Sequence, residues 1–347
     1  MSKRLKIVLC VLCTYACVAS AHAWLNLGLA QYVAGAGRGA AAPQVGFLPV
    51  TCHLTCPVAH WVKQNTGGAG SFEPVRFSGF PEIKEALVAG HLPATFMLAP
   101  MAMALRQQGV PVKIVYLGHR DGTAMMVHKD SAIRRIEDLK SKTVAVPNRF
   151  SNQYLILFKA LKERGLSVKD VNVIEMPPPD MPAALYSRAV DAVTSGEPFM
   201  ARTEMEGYGR ALYQAKDIWP NFISCVLVVR EDAIGEKPEW VQSLVDGIAR
   251  SGKWLESDMG HRMKAAENIS TKYYNQAPDY LRYVLSKPPD RVTYANLRLA
   301  RQDFEQIEGL AREAGLLDGS VGFADYADTS FSDKTEGAEP YEWEGPR

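Results

Sequence analysis

Apolar positions along this chain follow two patterns, short unbroken runs and longer stretches with apolar residues three or four apart. The runs predict buried strands and the spaced stretches predict amphipathic helices. The first run, Val45–Val50, predicts a strand of a parallel sheet and breaks into Thr51-Cys52-His53-Leu54-Thr55-Cys56. A helix is predicted to follow, with Pro57 at its first position, where a missing N–H costs nothing. Gly67–Gly70 predicts a turn. Val75–Phe77, Ala94–Met97, Val112–Leu117 and Thr123–His128 predict further strands. Pro81–Ala89 and Met101–Gln108 predict the helices between them, the first stopped by Gly90. Strand and helix alternate, which is the mark of an α/β lobe with a largely parallel sheet.

A second such lobe is predicted to begin near Asp130. Ile136–Leu139 reads as a helical turn, Thr143–Val146 as a strand, Pro147–Asn152 as a polar loop and Gln153–Arg164 as a helix ended by Gly165. This repeats the strand, polar loop and helix of Val45–Trp61. Val171–Met176 predicts a strand and Met181–Arg188 a helix, and Ala189–Val193 leads into Ser195-Gly196-Glu197-Pro198-Phe199. Ile223–Arg230 reads as a strand returning to the first lobe. Helical spacing then dominates over Glu239–Leu255, Arg262–Tyr274, Asp279–Leu285 and Tyr294–Glu313. Residues 319–347 are acidic and poor in aliphatics, which predicts a mobile tail.

Composition sharpens this picture in three respects. A chain of 347 residues with 47% hydrophobic content can bury a sizeable core and suggests two domains. A formal net charge of +1 argues against electrostatic binding to nucleic acid or a membrane surface. The N-terminus has a basic start at Ser2–Lys6, an apolar Ile7–Ser20 and the small-x-small triplet Ala21-His22-Ala23. That predicts a signal peptide over 1–23, a flexible lead-in over 24–43 and export to the periplasm, with an uncleaved membrane anchor as the alternative. Cys10, Cys13 and Cys17 fall inside the signal, leaving Cys52, Cys56 and Cys225. Three cysteines make no disulfide framework.

The chemistry concentrates in Thr51–Cys56. A strand, a short polar loop and a helix N-terminus present free N–H groups and the positive end of a helix dipole. Cys52, His53 and Cys56 leave three readings open: ligands for a soft metal, a local Cys52–Cys56 disulfide, or lining of a pocket. A closed zinc site needs four ligands, and the further candidates are His60, His91, His119 and Cys225. The order is not the Cys-x-x-Cys-His of haem attachment, and no Ser-His-Asp order, P-loop or Gly-x-Gly-x-x-Gly after a strand is found.

Three segments carry a resemblance: FPEIKEALVAGHLPATFMLAPMAMAL, IEDLKSKTVAVPNRFSNQYLILFKAL and ALYSRAVDAVTSGEPF. Their order resembles the substrate-binding proteins of ABC importers, in the nitrate/sulfonate/taurine/bicarbonate branch. That branch also holds pyrimidine-precursor binders and the related thiamin-pyrimidine synthases. The likeness runs from about Val45 to Leu317. It implies an α/β two-lobed Venus-flytrap of periplasmic-binding-protein type, each lobe a mainly parallel sheet flanked by helices, with a helical C-terminus. Crossovers are expected near His128–Lys129 and Phe222–Ile223, giving lobe I as 44–128 plus 223–318 and lobe II as 129–222.

In such a fold the ligand lies over the carboxyl ends of strands and helix N-termini of both lobes. The resemblance therefore implies a ligand site from Thr51, Cys52, His53, Thr55, Cys56, Pro100, Met101, Ser151, Asn152 and Glu197, with no catalytic residue, metal or cofactor. Ser151 and Asn152 also suit plain helix capping, worth about 1 kcal/mol. Arg149 could pair with an anion or stand exposed, and Glu197 could meet a ligand or form a hinge salt bridge. The expected function is capture of a small polar, anionic solute, such as nitrate, a sulfonate or bicarbonate, by a monomer that delivers it to ABC permease and ATPase subunits. The alternatives are a thiamin-pyrimidine-synthase-like enzyme, or a binder of a pyrimidine precursor or metal chelate using Cys52, His53 and Cys56. A sensor lobe feeding a membrane receptor is a third class, and it calls for a transmembrane or signalling segment not read in this sequence.

Overall fold

The computed structural model describes residues 42–66 and 72–343. The predicted signal peptide, nearly all of the predicted lead-in and the predicted turn at Gly67–Gly70 lie outside the described residues. In chain order the strands are β1 (Gln44–Phe47), β2 (Glu73–Arg76), β3 (Ala94–Met97), β4 (Val112–Leu117), β5 (Arg120–Asp121) and β6 (Thr123–His128). They continue as β7 (Thr143–Val146), β8 (Asn172–Glu175), β9 (Ala192–Gly196), β10 (Gly209–Gln214), β11 (Val226–Arg230) and β12 (Val292–Thr293). Two five-stranded sheets result, ordered β2-β1-β3-β11-β4 and β10-β6-β9-β7-β8. Each is the centre of one lobe.

Both sheets are mixed but mainly parallel in strand direction, as expected: in each, one strand, β11 or β6, runs against the other four. β1 runs parallel to β2 and β3, but β11 is antiparallel to both β3 and β4. Likewise β7 runs parallel to β8 and β9, while β6 is antiparallel to β9 and β10. The antiparallel strands β6 and β11 are those that enter a lobe from the other one, so neither is aligned by a crossover helix.

The pairing also moves the first crossover. Thr123–His128 pairs with β9 and β10 of the second sheet, so the chain leaves the first lobe at residues 118–122 and not at His128–Lys129. Five of the six β6 residues are buried, and an apolar run does not say which sheet it joins. The return passes through Phe222–Cys225 before β11. A bridge between Arg120 and Ile223 sets the two crossovers side by side, and β12 pairs with β5 beside them.

Helices cover the sheets with their apolar sides. Thr55–Asn65 follows the β1 loop, with Pro57 inside its first turn and not at its first position. Pro238–Ser257 buries Val241, Leu244, Val245 and Ile248 at the expected helical spacing. The last long helix begins at Arg301, so residues 294–300 are not helical as expected. The tail differs most. Helices Phe323–Tyr326 and Thr329–Asp333 lie within it, and Tyr326 and Phe331 are buried. The Trp343 ring lies 4.5 Å from that of Trp61 and 6.0 Å from that of Trp254, whose Nε1–H donates to the Trp343 carbonyl at 2.7 Å. Residues 319–343 are therefore packed against the body of the protein by these contacts, which the composition did not predict. The acidic composition hid five aromatic anchors, Phe323, Tyr326, Phe331, Tyr341 and Trp343.

Candidate functional site

After β1 the chain turns sharply through Leu48–Val50 into a short 3₁₀ turn over Thr51–His53. The loop is buried, so its backbone needs partners. The Leu48 N–H donates to His53 Nδ1 at 2.7 Å. Tyr274 donates its hydroxyl to the Val50 carbonyl at 2.7 Å, and Tyr294 donates to the Thr51 carbonyl at 3.0 Å. Both tyrosines come from the C-terminal region, which thus shapes the first loop.

Thr51 joins the lobes. Its N–H donates to the Glu197 carbonyl at 2.8 Å and its hydroxyl to the same oxygen at 3.3 Å. Since that proton is used, Thr51 Oγ1 accepts from His119 Nε2, which lies 2.8 Å away. His119 Nδ1 is then a bare lone pair, buried and without a protein partner. Burial pulls the His119 pKa from its ordinary 6.5 to about 4. The folded state thus binds this proton less readily than the unfolded one, and the contribution is complete above pH 6.5 and lost as pH falls towards 4. Unfolding midpoints in urea are expected to rise across that window, and His119→Asn is expected to flatten the rise.

Other unpartnered polar atoms gather around the same crossovers. Asn152 Nδ2 donates to the Ile223 carbonyl at 2.6 Å, which fixes the amide and leaves Oδ1 as an unpaired acceptor. Gln153 Nε2 reaches Thr123 Oγ1 at 3.2 Å, leaving Oε1 unpaired. Ser224 Oγ, Thr55 Oγ1 and His53 Nε2 are also buried without partners. The His53 nitrogen must carry its proton, because Nδ1 accepts from Leu48. A buried polar atom left unpaired costs about 1–3 kcal/mol, and native proteins tolerate few. Their concentration where the lobes meet marks the candidate site. A surface cavity of about 770 Å³, lined by Gln242, Asp246, Arg250 and Phe331 among others, holds none of these residues and brings only Gln242 Oε1 of the unpartnered atoms among the described residues.

All ten sequence-predicted positions are buried. Thr51 and Asn152 form inter-lobe hydrogen bonds. Ser151 caps its helix, accepting from the Tyr154 N–H at 3.0 Å. Pro100 and Met101 lie in the first turn of helix Ala99–Gln107 and bring apolar surface only. Glu197 forms the hinge pair: its carboxylate accepts from Arg291 Nη1 at 2.9 Å and from the Ala201 N–H at 2.7 Å. Burial pushes its pKa up, opposed by the Arg291 charge and the Ala201 hydrogen bond. Arg149 is held by the Val173 carbonyl, away from the cluster. Cys56 is buried and unpaired, its thiol pushed up by burial, so the local Cys52–Cys56 disulfide is not formed. Cys52 faces Cys225 instead, with sulfurs 2.9 Å apart. Sequence reasoning gave His119 and Cys225 only as metal candidates and did not place Ser224, Tyr274, Arg291 or Tyr294. Gln153 carried a local signal as the second amide at one helix start, whereas those four arrive from distant segments.

The model of the NMT1-like family matches residues 38–270, well over half of the sequence. The chain belongs to the NMT1-like family. This NMT1-like chain is 27% identical over 198 residues to the taurine-binding periplasmic protein of Escherichia coli, covering 56% of this chain and 61% of that one. It is also 27% identical over 254 residues to a bicarbonate transport ATP-binding protein of Synechocystis, covering 67% of this chain and 37% of the relative. The chain thus spans only about a third of the length of the first curated relatives it matches, 37% and 28%. In structure it resembles a ligand-binding component of an ABC-type import system from Staphylococcus aureus, with a TM-score of 0.76 at 24% identity over 87% of this chain and 100% of that one. The periplasmic nitrate-binding protein of Synechocystis PCC 6803 also gives 0.76, at 14% identity over 84% of this chain and 87% of that one. A desulfurization enzyme shares the fold at 0.60 and 16% identity, over 85% of this chain and 98% of that one. These likenesses show the periplasmic-binding-protein fold, which serves binding proteins for the most part and at least one enzyme.

Proposed function

We propose that this protein is the extracytoplasmic solute-binding component of an ABC importer, a monomer that captures a small polar solute between its lobes and delivers it to permease and ATPase partners. The observation that carries this reading is the set of buried, unpaired polar atoms from both lobes, His119 Nδ1, Asn152 Oδ1, Gln153 Oε1 and Ser224 Oγ. Closure about the two crossovers would bring them onto one solute. Family membership and the predicted export signal agree with it. Among the described residues no helix is long and apolar enough to cross a membrane.

The chemistry of these atoms narrows the solute. Three of the four are lone-pair acceptors or amide carbonyls, and the fourth is a hydroxyl. Arg291 and Arg120, cations beside the crossovers, are engaged by carboxylates, Arg291 by Glu197 and Glu204 and Arg120 by Asp303. A solute with at least one O–H or N–H donor satisfies such a shell, whereas nitrate or a simple sulfonate offers acceptors only. Of the solutes named for the relatives described above, bicarbonate and taurine carry donors, whereas nitrate does not. Calorimetry on the mature protein with bicarbonate, taurine, nitrate and methanesulfonate is the test, the first two being expected to bind more tightly. Ser151→Ala combined with Asn152→Ala is expected to weaken binding about tenfold or more, on the scale of one or two lost hydrogen bonds. Tighter binding of nitrate or methanesulfonate overturns the donor requirement, and unchanged affinity in the double variant overturns the site.

A further inference from the structure

Cys52 and Cys225 lie 173 residues apart in sequence, yet their sulfurs are 2.9 Å apart and both residues are buried. Their backbones are clamped by one residue. The Gly118 N–H donates to the Cys225 carbonyl at 2.8 Å, and a Cβ at Gly118 would sit 2.1 Å from the Cys52 carbonyl oxygen. Only glycine fits between them.

His53 brings a third ligating atom within 4.8 Å of the two sulfurs, which raises a soft-metal reading. Two features weigh against it. The Nδ1 lone pair of His53 is occupied by the Leu48 N–H, so Nε2 bears the proton and the neutral ring has no free lone pair for an ion. Two sulfurs on a tetrahedral zinc, each at about 2.3 Å, stand roughly 3.7 Å apart, wider than the spacing here. A disulfide, by contrast, needs the sulfurs to close to about 2.05 Å, a movement of under about 1 Å.

We propose that Cys52 and Cys225 form a redox-active dithiol that closes to a disulfide in an oxidising compartment and thereby stiffens the floor of the inter-lobe cleft. The Cys52 thiolate attacks one sulfur of an oxidising disulfide, forming a mixed disulfide and expelling that reagent's other sulfur as a thiolate. Cys225 then loses its proton and attacks Cys52 Sγ, releasing the second thiol. Two electrons pass to the reagent, which ends as two thiols, and the protein gains one S–S bond. Cys52 suits the attacking role. Burial disfavours its charge, but the Cys225 S–H donor and His53 outweigh that and lower its pKa, while burial and Cys52 raise that of Cys225. The link to the cleft is direct. Thr51, beside Cys52, holds Glu197 of the second lobe, and Ile223, two residues before Cys225, accepts from Asn152. The bond would fix the spacing of the two segments on which that lobe closes. The inference rests on the two-lobed binding reading and on export.

The test treats mature protein with oxidised or reduced glutathione, followed by alkylation under denaturing conditions, peptide mapping and amide hydrogen exchange. Oxidised protein is expected to yield a Cys52–Cys225 linked peptide with Cys56 as the free thiol, and to slow exchange at least tenfold across 51–56 and 222–226. Cys225→Ser is expected to show neither change. Three alkylated cysteines after oxidation, a Cys52–Cys56 link, or a linked protein with unchanged exchange would each overturn the proposal. So would a stoichiometric metal in reduced protein that Cys225→Ser loses. Failure of every solute in the calorimetry panel would count against the binding reading alone, because mapping and exchange need no ligand.

Discussion

Arg291→Met is expected to lower folding stability by about 3–5 kcal/mol, the range seen when one partner of a buried ion pair is removed. Glu197 is fully buried, and Arg291 is its charged partner at 2.9 Å. A second carboxylate, Glu204, holds the other guanidinium nitrogen at 3.0 Å. The Ala201 N–H, the other donor to the Glu197 carboxylate, cannot neutralise a charge. Methionine fills similar volume, so the loss reports the stranded charge and not a cavity. Adding Glu197→Gln is expected to recover much of it, because an amide costs far less to bury than a carboxylate. The pH dependence separates this from a packing defect. Burial raises the Glu197 pKa in the folded chain, and removing Arg291 raises it further. The folded state then binds a proton that the unfolded state releases, so the variant gains stability relative to wild type as pH falls. Urea midpoints at several pH values measure both effects. A loss below about 1 kcal/mol with no pH dependence would mean that the pair is incidental.

Arg291 also shows where sequence reading runs out. The strands Ala94–Met97, Val112–Leu117 and Thr143–Val146 match their predicted spans, because each is an apolar run bounded by turn residues. The repeated strand, polar loop and helix located Thr51 and Asn152, which together with Glu197 are the predicted positions that hydrogen-bond between the lobes. Sheet membership was not legible: β6 is apolar on both faces, and its assignment depends on neighbours far along the chain. The partners of the predicted residues were equally hidden. Glu197 meets Arg291 94 residues on, and Cys52 meets Cys225 across 173. Local spacing pointed Cys52 to Cys56, whereas the fold turns Cys56 into a helix and brings Cys225 in from a returning strand. Periodicity reports which face a residue takes, and not which distant segment that face will meet.

Truncation after Asp318 is expected to leave a protein that is unfolded or melts far below the full chain. The acidic composition of the tail argues for the opposite result, so the experiment separates composition from contacts. Tyr326 is buried against Phe304 at 5.9 Å between ring centroids, and its hydroxyl donates to Glu308. Phe331 is buried as well, and Trp343 closes over Trp61 and Trp254 on helices Thr55–Asn65 and Pro238–Ser257. The first of those helices carries the Thr51–Cys56 loop at its start, so the strap reaches the candidate site through one rigid element. Replacing a buried phenylalanine or tryptophan with alanine costs about 3–5 kcal/mol. Losing several aromatics together therefore rivals the whole stability of an ordinary domain, about 5–15 kcal/mol. Trp343 is only half-buried, so Trp343→Ala should fall at or below the lower end, near 2–3 kcal/mol by the same scale. Thermal melts of the truncated chain and the point variant are the measurement. A truncated protein melting within a few degrees of the full chain would mean that the strap is dispensable, and a Trp343→Ala variant equal to wild type would remove that residue from its anchors.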